Sequence, residues 1–508
     1  MKPVVLVVLD GWGWSPEKRG NAIRAASTPV LDGLSREFPS GLLQASGISV
    51  GIPWGEPGNS EVGHFSMGTG QIRAQPLVYI NRSLSDGTFF ENPALKEAAE
   101  HTRRFSSSLH IAGLVGTGSV HSYLSHLYAI IEFASREKLE RVFLHLFTDG
   151  RDSPPKAAVQ IIGELERYLE NFPNVRLATV IGRHYAMDRD RNWERTEKTL
   201  RLLVTAAGRK TEDPAAAINE SYAAGVTDEY IEPLVFADGR LRSNDAVILF
   251  NFREDSARQL AYALAAPDKV KFEFSPPENL LIVTMSEYEK GLPVKVAFGP
   301  QQPRYTLARI LAQAGKTQFR VAETEKYAHI TYFFNSGSEE AVPGEERKLV
   351  PSLPTESFAA EPAMGAPQIG ESVVEAVKSG AFDFILANFA NADMLGHTGK
   401  FEAAVAGVEI VDQVLGSVVS AVLEKNGAVI ITADHGNAEE MLDLKTGRVL
   451  TSHTSNPVPF WIVAEKLRGK GEQKEIPEIT GILPDVTATI LDLLGLPIPP
   501  EMDGHGLL

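Results

Sequence analysis

Six side chains of the types that bind divalent metal ions are candidates for the chemistry of this chain. They are three carboxylates and three imidazoles, namely Asp10, Asp393, Asp434, His397, His435 and His453. Mixed carboxylate and imidazole ligands suit Mn²⁺ or Zn²⁺ better than Mg²⁺ or Ca²⁺. A pair of such ions can activate a nucleophile and hold the oxygens of a phosphoryl group in transfer. The adjacent pair Asp434 and His435 would diverge at a strand end and could serve two different metals.

Ser60 is the candidate nucleophile, in the segment Gly58-Asn59-Ser60-Glu61-Val62-Gly63-His64. A serine hydroxyl is weakly acidic and attacks a substrate only when a base or a metal activates it. The glycines on both sides of Ser60 allow the backbone to approach a substrate closely. Taken alone, Gly-Asn-Ser is more typical of a helix cap after a turn.

Three hydrophobic runs lead into the candidate metal ligands from both ends of the chain. The runs cover residues 4–9, 382–389 and 428–433, and they precede Asp10, Asp393 and Asp434. Apolar runs of this length are typical of strands that are buried on both faces of a parallel sheet. Ligands of open α/β sheets bind just beyond the carboxyl ends of such strands. We therefore expect one domain built from both ends of the chain, with the middle of the chain inserted into it.

The middle of the chain alternates between apolar and amphipathic stretches, which predicts βαβ units and a second parallel sheet. The expected strands lie at about 109–115, 142–148, 175–182, 246–252 and 279–284. The expected helices lie near 123–138, 155–171, 194–207 and 256–265. After the insertion we expect a helix at 305–314, a strand at 329–334, a long helix at about 400–425 and a closing helix at 484–496.

A second group of polar residues follows the strands of the insertion and is rich in arginine. It consists of His121, Arg151, Asp152, Arg183, Arg189 and Arg253. Guanidinium groups bind phosphate and carboxylate oxygens in a bidentate manner, so this group favours a small substrate with two anionic groups. An aspartate among arginines stays ionised, and Asp152 is a candidate base for proton transfer.

The composition favours a small-molecule partner. The chain has 508 residues, 43% of them hydrophobic and 22% charged, and its net charge is −16. An acidic protein repels nucleic acids and acidic membrane surfaces. The absence of cysteine excludes disulfides and thiolate ligands, and it fits a reducing compartment. The first apolar run is too short for a signal peptide and no stretch approaches a membrane span, so we expect a cytoplasmic protein.

Seven segments of the chain are distinctive when taken together. They are GNSEVGH (58–64), DGRDSPPK (149–156), GRHYAMDRDRNWER (182–195), AETEKYAH (322–329), NADMLGHTG (391–399), TADHGNAE (432–439) and SHTSNPVPF (452–460). Together they resemble the cofactor-independent phosphoglycerate mutase family. The resemblance implies an α/β protein of the alkaline-phosphatase-like superfamily with two domains. A discontinuous metal-binding, phosphoryl-transfer domain would cover 1–74 and 302–508, and an inserted α/β substrate-binding domain would cover 75–301.

The resemblance also implies an activity and a set of roles. It implies interconversion of 3-phosphoglycerate and 2-phosphoglycerate in glycolysis through a phosphoserine on Ser60, by a protein that is usually a monomer. One metal, most simply Mn²⁺ with Zn²⁺ or Mg²⁺ as alternatives, would bind to Asp10, Ser60, Asp434 and His435. A second metal would bind to Asp393, His397 and His453. Lys326 resembles the lysine beside the phosphoryl group, and the arginine-rich group resembles the set that holds glycerate.

Several departures from the family pattern concern the substrate-binding group. Ser256 stands where the family usually has a second substrate-binding arginine, and Arg258 is a possible replacement. Gln71 stands where an arginine is common, and the segment Gly116–Ser119 lacks the usual acidic residue. Two other functions therefore stay open: a phosphatase or another phosphomutase of the same superfamily, and an anion-binding protein without activity. A sulfatase is disfavoured because Ser60 is not followed by Pro-x-Arg.

Overall fold

The computed structural model describes residues 2–300, 303–471 and 476–508. Within these residues the chain forms sixteen strands: β1 (Val4–Leu9), β2 (Ser40–Gln44), β3 (Leu109–Val115), β4 (Val142–Thr148), β5 (Val175–Gly182), β6 (Arg209–Lys210), β7 (Leu234–Val235), β8 (Ala246–Leu249), β9 (Leu281–Thr284), β10 (Lys295–Val296), β11 (Gln318–Glu323), β12 (Glu345–Val350), β13 (Phe384–Phe389), β14 (Ala428–Thr432), β15 (Val458–Ala464) and β16 (Ile479–Ile482).

The same residues form seventeen α-helices, several of them a single turn. They are α1 (Ala22–Ala25), α2 (Pro29–Glu37), α3 (Ser60–Thr69), α4 (Pro76–Asp86), α5 (Pro93–Phe105), α6 (Leu124–Arg136), α7 (Ala158–Leu169), α8 (Arg183–Ala186), α9 (Trp193–Thr205), α10 (Pro214–Ala223), α11 (Arg258–Ala265), α12 (Leu307–Gln313), α13 (Thr324–Ala328), α14 (Ala366–Ser379), α15 (Asn391–Thr398), α16 (Phe401–Glu424) and α17 (Asp485–Leu494).

The chain divides into two compact units. The first unit consists of Met1–Gln75 and Gln301–Leu508, and the inserted unit consists of Pro76–Pro300. Each unit contains one eight-stranded sheet with helices around it, so the predicted α/β class is confirmed. The domain boundaries predicted from the sequence lie at 74/75 and 301/302. The roles of the two domains in metal binding and in substrate binding are proposals.

The sheet of the first unit brings the two ends of the chain side by side. Its strand order is β12-β11-β13-β1-β14-β15-β2-β16. The central strand β1 pairs in parallel with β13 and with β14, and Leu9 lies opposite Phe389. Every residue of these three strands is buried. Because the three strands are in register, the residues that follow them emerge at one edge of the sheet.

The core of the first unit includes the long helix α16. By length and composition alone α16 could cross a membrane, which differs from the expectation that no such stretch exists. Half of its apolar window is buried inside the protein, and Val408, Val411 and Leu415 belong to the core. Its Asp412 accepts hydrogen bonds from the backbone N–H groups of Val30 and Leu31 at 3.0 and 2.9 Å. Asp412 thus caps α2, since Thr28 at the N-cap position makes no side-chain capping hydrogen bond.

The sheet of the inserted unit has the order β10-β9-β8-β3-β4-β5-β7-β6. Its strands are parallel except that β7 and β6, which are parallel to each other, run antiparallel to the rest. Strand β3 lies in register between β4 and β8. The five predicted strands are its central members, and β8 and β9 are shorter than expected. The residues after β3, β4, β5 and β8 therefore emerge at one edge, as in the first unit.

One predicted strand is wrong. Residues 329–334 contain β-branched and aromatic side chains, which favour a strand, but His329–Phe333 forms a π-helical turn that continues α13. Ile330 and Phe334, four residues apart, are both fully buried in the core. The helical spacing of these two core contacts overrides the β propensity of the segment.

Candidate functional site

Three strand ends of the first unit place the candidate carboxylates together. Asp10 follows β1, Asp434 follows β14, and Asp393 lies in α15 just after β13. The backbone N–H of Asp393 donates to the carbonyl of Asp10 at 3.0 Å. Gly11 has φ +72°, and a Cβ on it would lie 2.6 Å from the Cα of Asp393, so only glycine allows this crossing. All three carboxylates are at most 1% exposed.

Ser60 is the first residue of α3, and its hydroxyl lies among these carboxylates. The side chain of Asn59 caps the helix by accepting from the N–H of Val62 at 2.9 Å. Ser60 Oγ lies 2.9 Å from His435 Nε2 and 3.4 Å from Asp10 Oδ1. The segment is therefore a helix cap and also places the serine at the cluster, so the two interpretations of Gly-Asn-Ser are compatible.

Lys326, in α13, lies at the centre of the cluster. Its Nζ is 2.6 Å from Asp10 Oδ1 and 2.7 Å from Asp393 Oδ2, and it donates to Ser60 Oγ at 2.9 Å. Burial alone would lower the pKa of Lys326, but Asp10, Asp393 and Asp434 together raise it above its usual value. Lys326 is therefore a permanent positive charge beside the serine hydroxyl.

The remaining two histidines lie on the other side of Asp393. Nε2 of His397 is 3.2 Å and Nε2 of His453 is 3.3 Å from Asp393 Oδ1. Backbone carbonyls orient both rings, because Nδ1 of His397 lies 2.7 Å from the oxygen of Thr451 and Nδ1 of His453 lies 3.0 Å from that of Gly58. The ring of His453 also stacks on that of His435, with 3.8 Å between centroids.

The cluster fits divalent cations. Two groups of donor atoms lie close enough to share an ion, Asp10 with Asp434 and His435, and Asp393 with His435 and His453. Burial raises the pKa of Asp10, and repulsion by Asp434 raises it further. Among the described residues Asp434 Oδ2 makes no hydrogen bond, and the group nearest to pairing with it is Nδ1 of His64 at 3.2 Å. Three buried carboxylates around one ammonium leave excess negative charge, which metal ions would neutralise.

The inserted unit has its own pocket, of about 250 Å³. All six residues of the predicted arginine-rich group line it, namely His121, Arg151, Asp152, Arg183, Arg189 and Arg253. Burial and the positive charge of Arg183 lower the pKa of His121, so this imidazole is neutral at pH 7. The pocket is thus polar and suits a small anion.

Each of the four predicted arginines already has a carboxylate partner. Among these carboxylates, only Asp152 was identified from the sequence. Arg183 Nη1 lies 2.5 Å from Asp149 and 2.6 Å from Asp152. Asp255 lies 3.1 Å from Arg189 and 3.4 Å from Arg253, and Glu229 lies 2.7 Å from Arg151. No signal in the sequence distinguished these partners from ordinary surface acids. The pairing holds the guanidinium groups in place before a substrate binds.

Comparisons with known proteins agree with this geometry. The model of the Metalloenzyme superfamily matches residues 2–498. A 2,3-bisphosphoglycerate-independent phosphoglycerate mutase of Thermomicrobium roseum is 47% identical over 99% of this chain and 98% of its own length. A second such mutase, of Methanosarcina acetivorans, is 45% identical over 100% of this chain and 97% of its own. The chain belongs to the 2,3-bisphosphoglycerate-independent phosphoglycerate mutase family.

A solved structure supports the same family. The phosphoglycerate mutase of Leishmania mexicana, crystallised at low cobalt concentration, aligns with a TM-score of 0.53 and 32% identity. The alignment covers 99% of this chain and 97% of the other. Family membership and the two donor groups together support divalent metal ions as cofactors.

Among the departures from the phosphoglycerate mutase pattern, Ser256 is the one that lines the pocket. Its hydroxyl donates to Asp255 Oδ1 at 3.2 Å. Arg258 is not among the residues that line the pocket, and its Nε donates to the backbone carbonyl of Tyr288 at 2.9 Å. The pocket therefore has a serine at the position where the family pattern implies an arginine.

Four further residues beside the candidate metal sites were missed, although they lie in or next to the segments that resemble the family. His64, Asn388, Asn437 and Glu439 are all at most 1% exposed. Glu439 accepts from the N–H groups of Gly13 and Asn437 at 3.1 and 2.8 Å and from the hydroxyl of Thr454. It thus joins three loops of the site. For Glu439 the available signal in the sequence was its place in the segment TADHGNAE.

Proposed function

We propose that this chain interconverts 3-phosphoglycerate and 2-phosphoglycerate through a phosphoserine on Ser60, with two divalent metal ions and without a bisphosphoglycerate primer. The supporting observation is the position of Ser60 Oγ, 2.9 Å from both His435 Nε2 and Lys326 Nζ. A hydroxyl in this environment is suited to accept a phosphoryl group. Curated relatives with this activity are 45–47% identical over nearly the whole chain.

The first unit is proposed to carry the phosphoryl transfer. Asp10, Ser60, Asp434 and His435 would hold one metal ion, and Asp393, His397 and His453 the other. When bound, these ions would lower the pKa of the serine hydroxyl and neutralise charge on the phosphoryl oxygens. Lys326 contributes a further positive charge at the phosphoryl group. Stabilising this charge is the main requirement of phosphoryl transfer.

The reaction is proposed to occur in two transfers. In the first, Ser60 Oγ bonds to phosphorus while the bond from phosphorus to the C3 oxygen breaks. The serine proton leaves and the C3 oxygen gains one, so no proton is consumed overall. In the second, the C2 oxygen bonds to phosphorus while the bond from phosphorus to Ser60 Oγ breaks. The C2 hydroxyl loses its proton and Ser60 Oγ regains one. Asp152 is proposed to move the proton between the two glycerate oxygens, as Arg183 holds its Oδ2 at 2.6 Å.

The inserted unit is proposed to hold glycerate while the phosphoryl group stays on Ser60. Arg189 and Arg253 are half exposed in the pocket, at 55% and 48% of their side-chain surfaces, and can bind the carboxylate of the substrate. Their fork geometry suits two carboxylate oxygens. Excluding water while glycerate is held would also protect the phosphoserine against hydrolysis.

Finer features are part of the same proposal. Mn²⁺ suits the mixed oxygen and imidazole donors, with Zn²⁺ and Mg²⁺ as alternatives. The reaction belongs to glycolysis, and we propose a monomer in the cytoplasm, in line with the absence of cysteine.

The test is conversion of 3-phosphoglycerate to 2-phosphoglycerate, followed by ³¹P NMR with added Mn²⁺ and no primer. The Ser60→Ala variant should be inactive, because it lacks the oxygen that accepts the phosphoryl group. Equal activity in the wild type and this variant would contradict the phosphoserine route.

A phosphatase or another phosphomutase is the second candidate, because Ser256 leaves the pocket without the usual arginine. Weaker retention of glycerate would allow water to attack the phosphoserine. Release of inorganic phosphate faster than formation of 2-phosphoglycerate would favour this candidate over the mutase.

A further inference from the structure

Two buried asparagines lie beside the candidate metal sites without belonging to either ligand set. Asn388, on β13, is 0% exposed, and Asn437, after β14, is 1% exposed. Asn388 Nδ2 donates to Asp10 Oδ2 at 2.8 Å, and Asn437 Nδ2 donates to Asp393 Oδ1 at 2.8 Å. Each site therefore has one ligand carboxylate that is held by its own amide.

The carbonyl oxygens of the same two amides are buried without a hydrogen-bond partner among the described residues. Among residues 2–300, 303–471 and 476–508, neither Asn388 Oδ1 nor Asn437 Oδ1 has a hydrogen-bond partner. Buried polar atoms are normally paired, and an exception requires an explanation. Rotating either amide would turn an oxygen toward the carboxylate and exchange an attractive contact for a repulsive one. The carboxylate thus sets the orientation of each amide: Nδ2 faces the carboxylate, and the amide oxygen is left without a partner.

The amide of Asn388 ties its carboxylate to a second element of the site, and the amide of Asn437 packs on the helix that carries its own carboxylate, Asp393. Asn388 Nδ2 lies 3.0 Å from Nε2 of His64, whose Nδ1 donates to the backbone oxygen of Ser60 at 2.9 Å. One amide therefore connects Asp10 to the helix that carries the serine. The amide of Asn437 packs on α15, since a Cβ on Gly396 would lie 2.4 Å from its oxygen.

The contact made by Asn388 leaves Asp10 Oδ1 directed at the rest of the site. This oxygen lies 3.4 Å from Ser60 Oγ and 3.5 Å from His435 Nε2. On the other side, Asn437 holds the same oxygen of Asp393 that faces Nε2 of His397 and His453. Both carboxylates are thus fixed in the rotamer that directs an oxygen toward neighbouring donors.

We propose that Asn388 and Asn437 are positioning residues that separately set the affinity of the two sites for divalent metal ions. Asn388 acts on the site of Asp10 and Asn437 on the site of Asp393. Partners of ligand side chains typically account for a 10–100-fold difference in metal affinity. The inference rests on the two metal sites of the proposed function, and it does not depend on which phosphoester is the substrate.

The experiment uses Asn388→Leu and Asn437→Leu, which keep the shape of the side chain and remove the donor. Mn²⁺ is titrated into chelator-treated full-length protein, and binding is followed by calorimetry and by the electron paramagnetic resonance signal of free Mn²⁺. Two dissociation constants are expected for the wild type. Each variant should raise a different one by about 10–100-fold, and the double variant should raise both.

Asn391→Leu is the matched control. Asn391 is also fully buried and has an unpartnered Oδ1, but its Nδ2 donates to the backbone oxygens of Pro362 and Ala363. Its loss should lower thermal stability and leave both dissociation constants unchanged. If a leucine variant does not fold, the smaller change to alanine at the same position carries the same expectation.

Unchanged constants in both test variants would overturn the inference, as would a loss at one and the same site in both. An equal loss in the Asn391 control would also overturn it, because the effect would then reflect general destabilisation. Absence of phosphoglycerate conversion by the wild type, with separate losses of Mn²⁺ affinity in the variants, would contradict the proposed function and leave this inference standing.

Discussion

Replacing Lys326 with methionine removes a positive charge between two buried carboxylates while nearly keeping the length of the side chain. Lys326 is 4% exposed, and its Nζ lies 2.6 Å from Asp10 and 2.7 Å from Asp393. At an effective dielectric constant near 20, charges at this distance attract each other by about 6 kcal/mol. Much of this attraction is offset by the cost of burying the charges, and breaking such a pair costs about 3–5 kcal/mol.

We therefore expect metal-free Lys326→Met to have a free energy of unfolding about 3–5 kcal/mol lower than the wild type. Mn²⁺ would supply positive charge to the same carboxylates, so the deficit should shrink when Mn²⁺ is saturating. The variant should also lose about 10²–10³-fold in kcat, because the lost ammonium lies 2.9 Å from Ser60 Oγ.

The assay is urea denaturation followed by circular dichroism, with chelator and with Mn²⁺. The control is Lys316→Met, since Lys316 forms a partly exposed ion pair with Asp383 at 3.3 Å. That pair should contribute less than about 1 kcal/mol with or without metal. An equal loss of stability in Lys326→Met with chelator and with Mn²⁺ would refute the electrostatic reasoning.

Three other outcomes are expected. Burial lowers the pKa of His126 to about 4 in the folded protein, whereas the pKa is about 6.5 in the unfolded chain. The free energy of unfolding should therefore fall as the pH drops from about 6.5 to about 4. Urea titrations at both ends of this range should show that His126→Gln avoids roughly 3 kcal/mol of that loss; an identical acid loss would contradict it. Ser256→Arg should lower KM for 3-phosphoglycerate about 10-fold or more by adding one charge-assisted contact, and an unchanged KM would mean that the pocket is complete without it. Gly63→Ala should lower Mn²⁺ affinity, because its Cβ would lie 2.6 Å from the carbonyl oxygen of Asp434; unchanged calorimetric binding would show that the helix can shift freely.

The sequence was sufficient to predict the grouping of the candidate ligands in the first unit. Apolar runs reveal buried parallel strands, and the carboxyl ends of such strands meet at one edge of a sheet. That reasoning alone places Asp10, Asp393 and Asp434 near one another. The resemblance to the family added Lys326, whose position in α13 follows from no periodicity in the sequence. In the structure His435 belongs to both groups of donor atoms. The adjacency of Asp434 and His435 in the sequence had not decided which metal each residue would bind.

The partners of these groups were not predictable in the same way. Asp255, Glu229 and Asp149 pair with pocket arginines, but aspartates and glutamates in loops are common at protein surfaces. In the sequence Asn388 is only a polar residue within an apolar strand. Its role follows from the register of β13 with β1, which places it beside Asp10. Such contacts depend on packing between elements that are distant in sequence. The same dependence explains the error at 329–334, where core packing selects a helix.

The most direct test of the central claim is mass spectrometry of the protein after rapid acid quenching with 3-phosphoglycerate and Mn²⁺. The account predicts a single added phosphate on the peptide that contains Ser60, and none in Ser60→Ala. A phosphate on another residue, or full turnover with no phosphorylated peptide at any quench time, would contradict it.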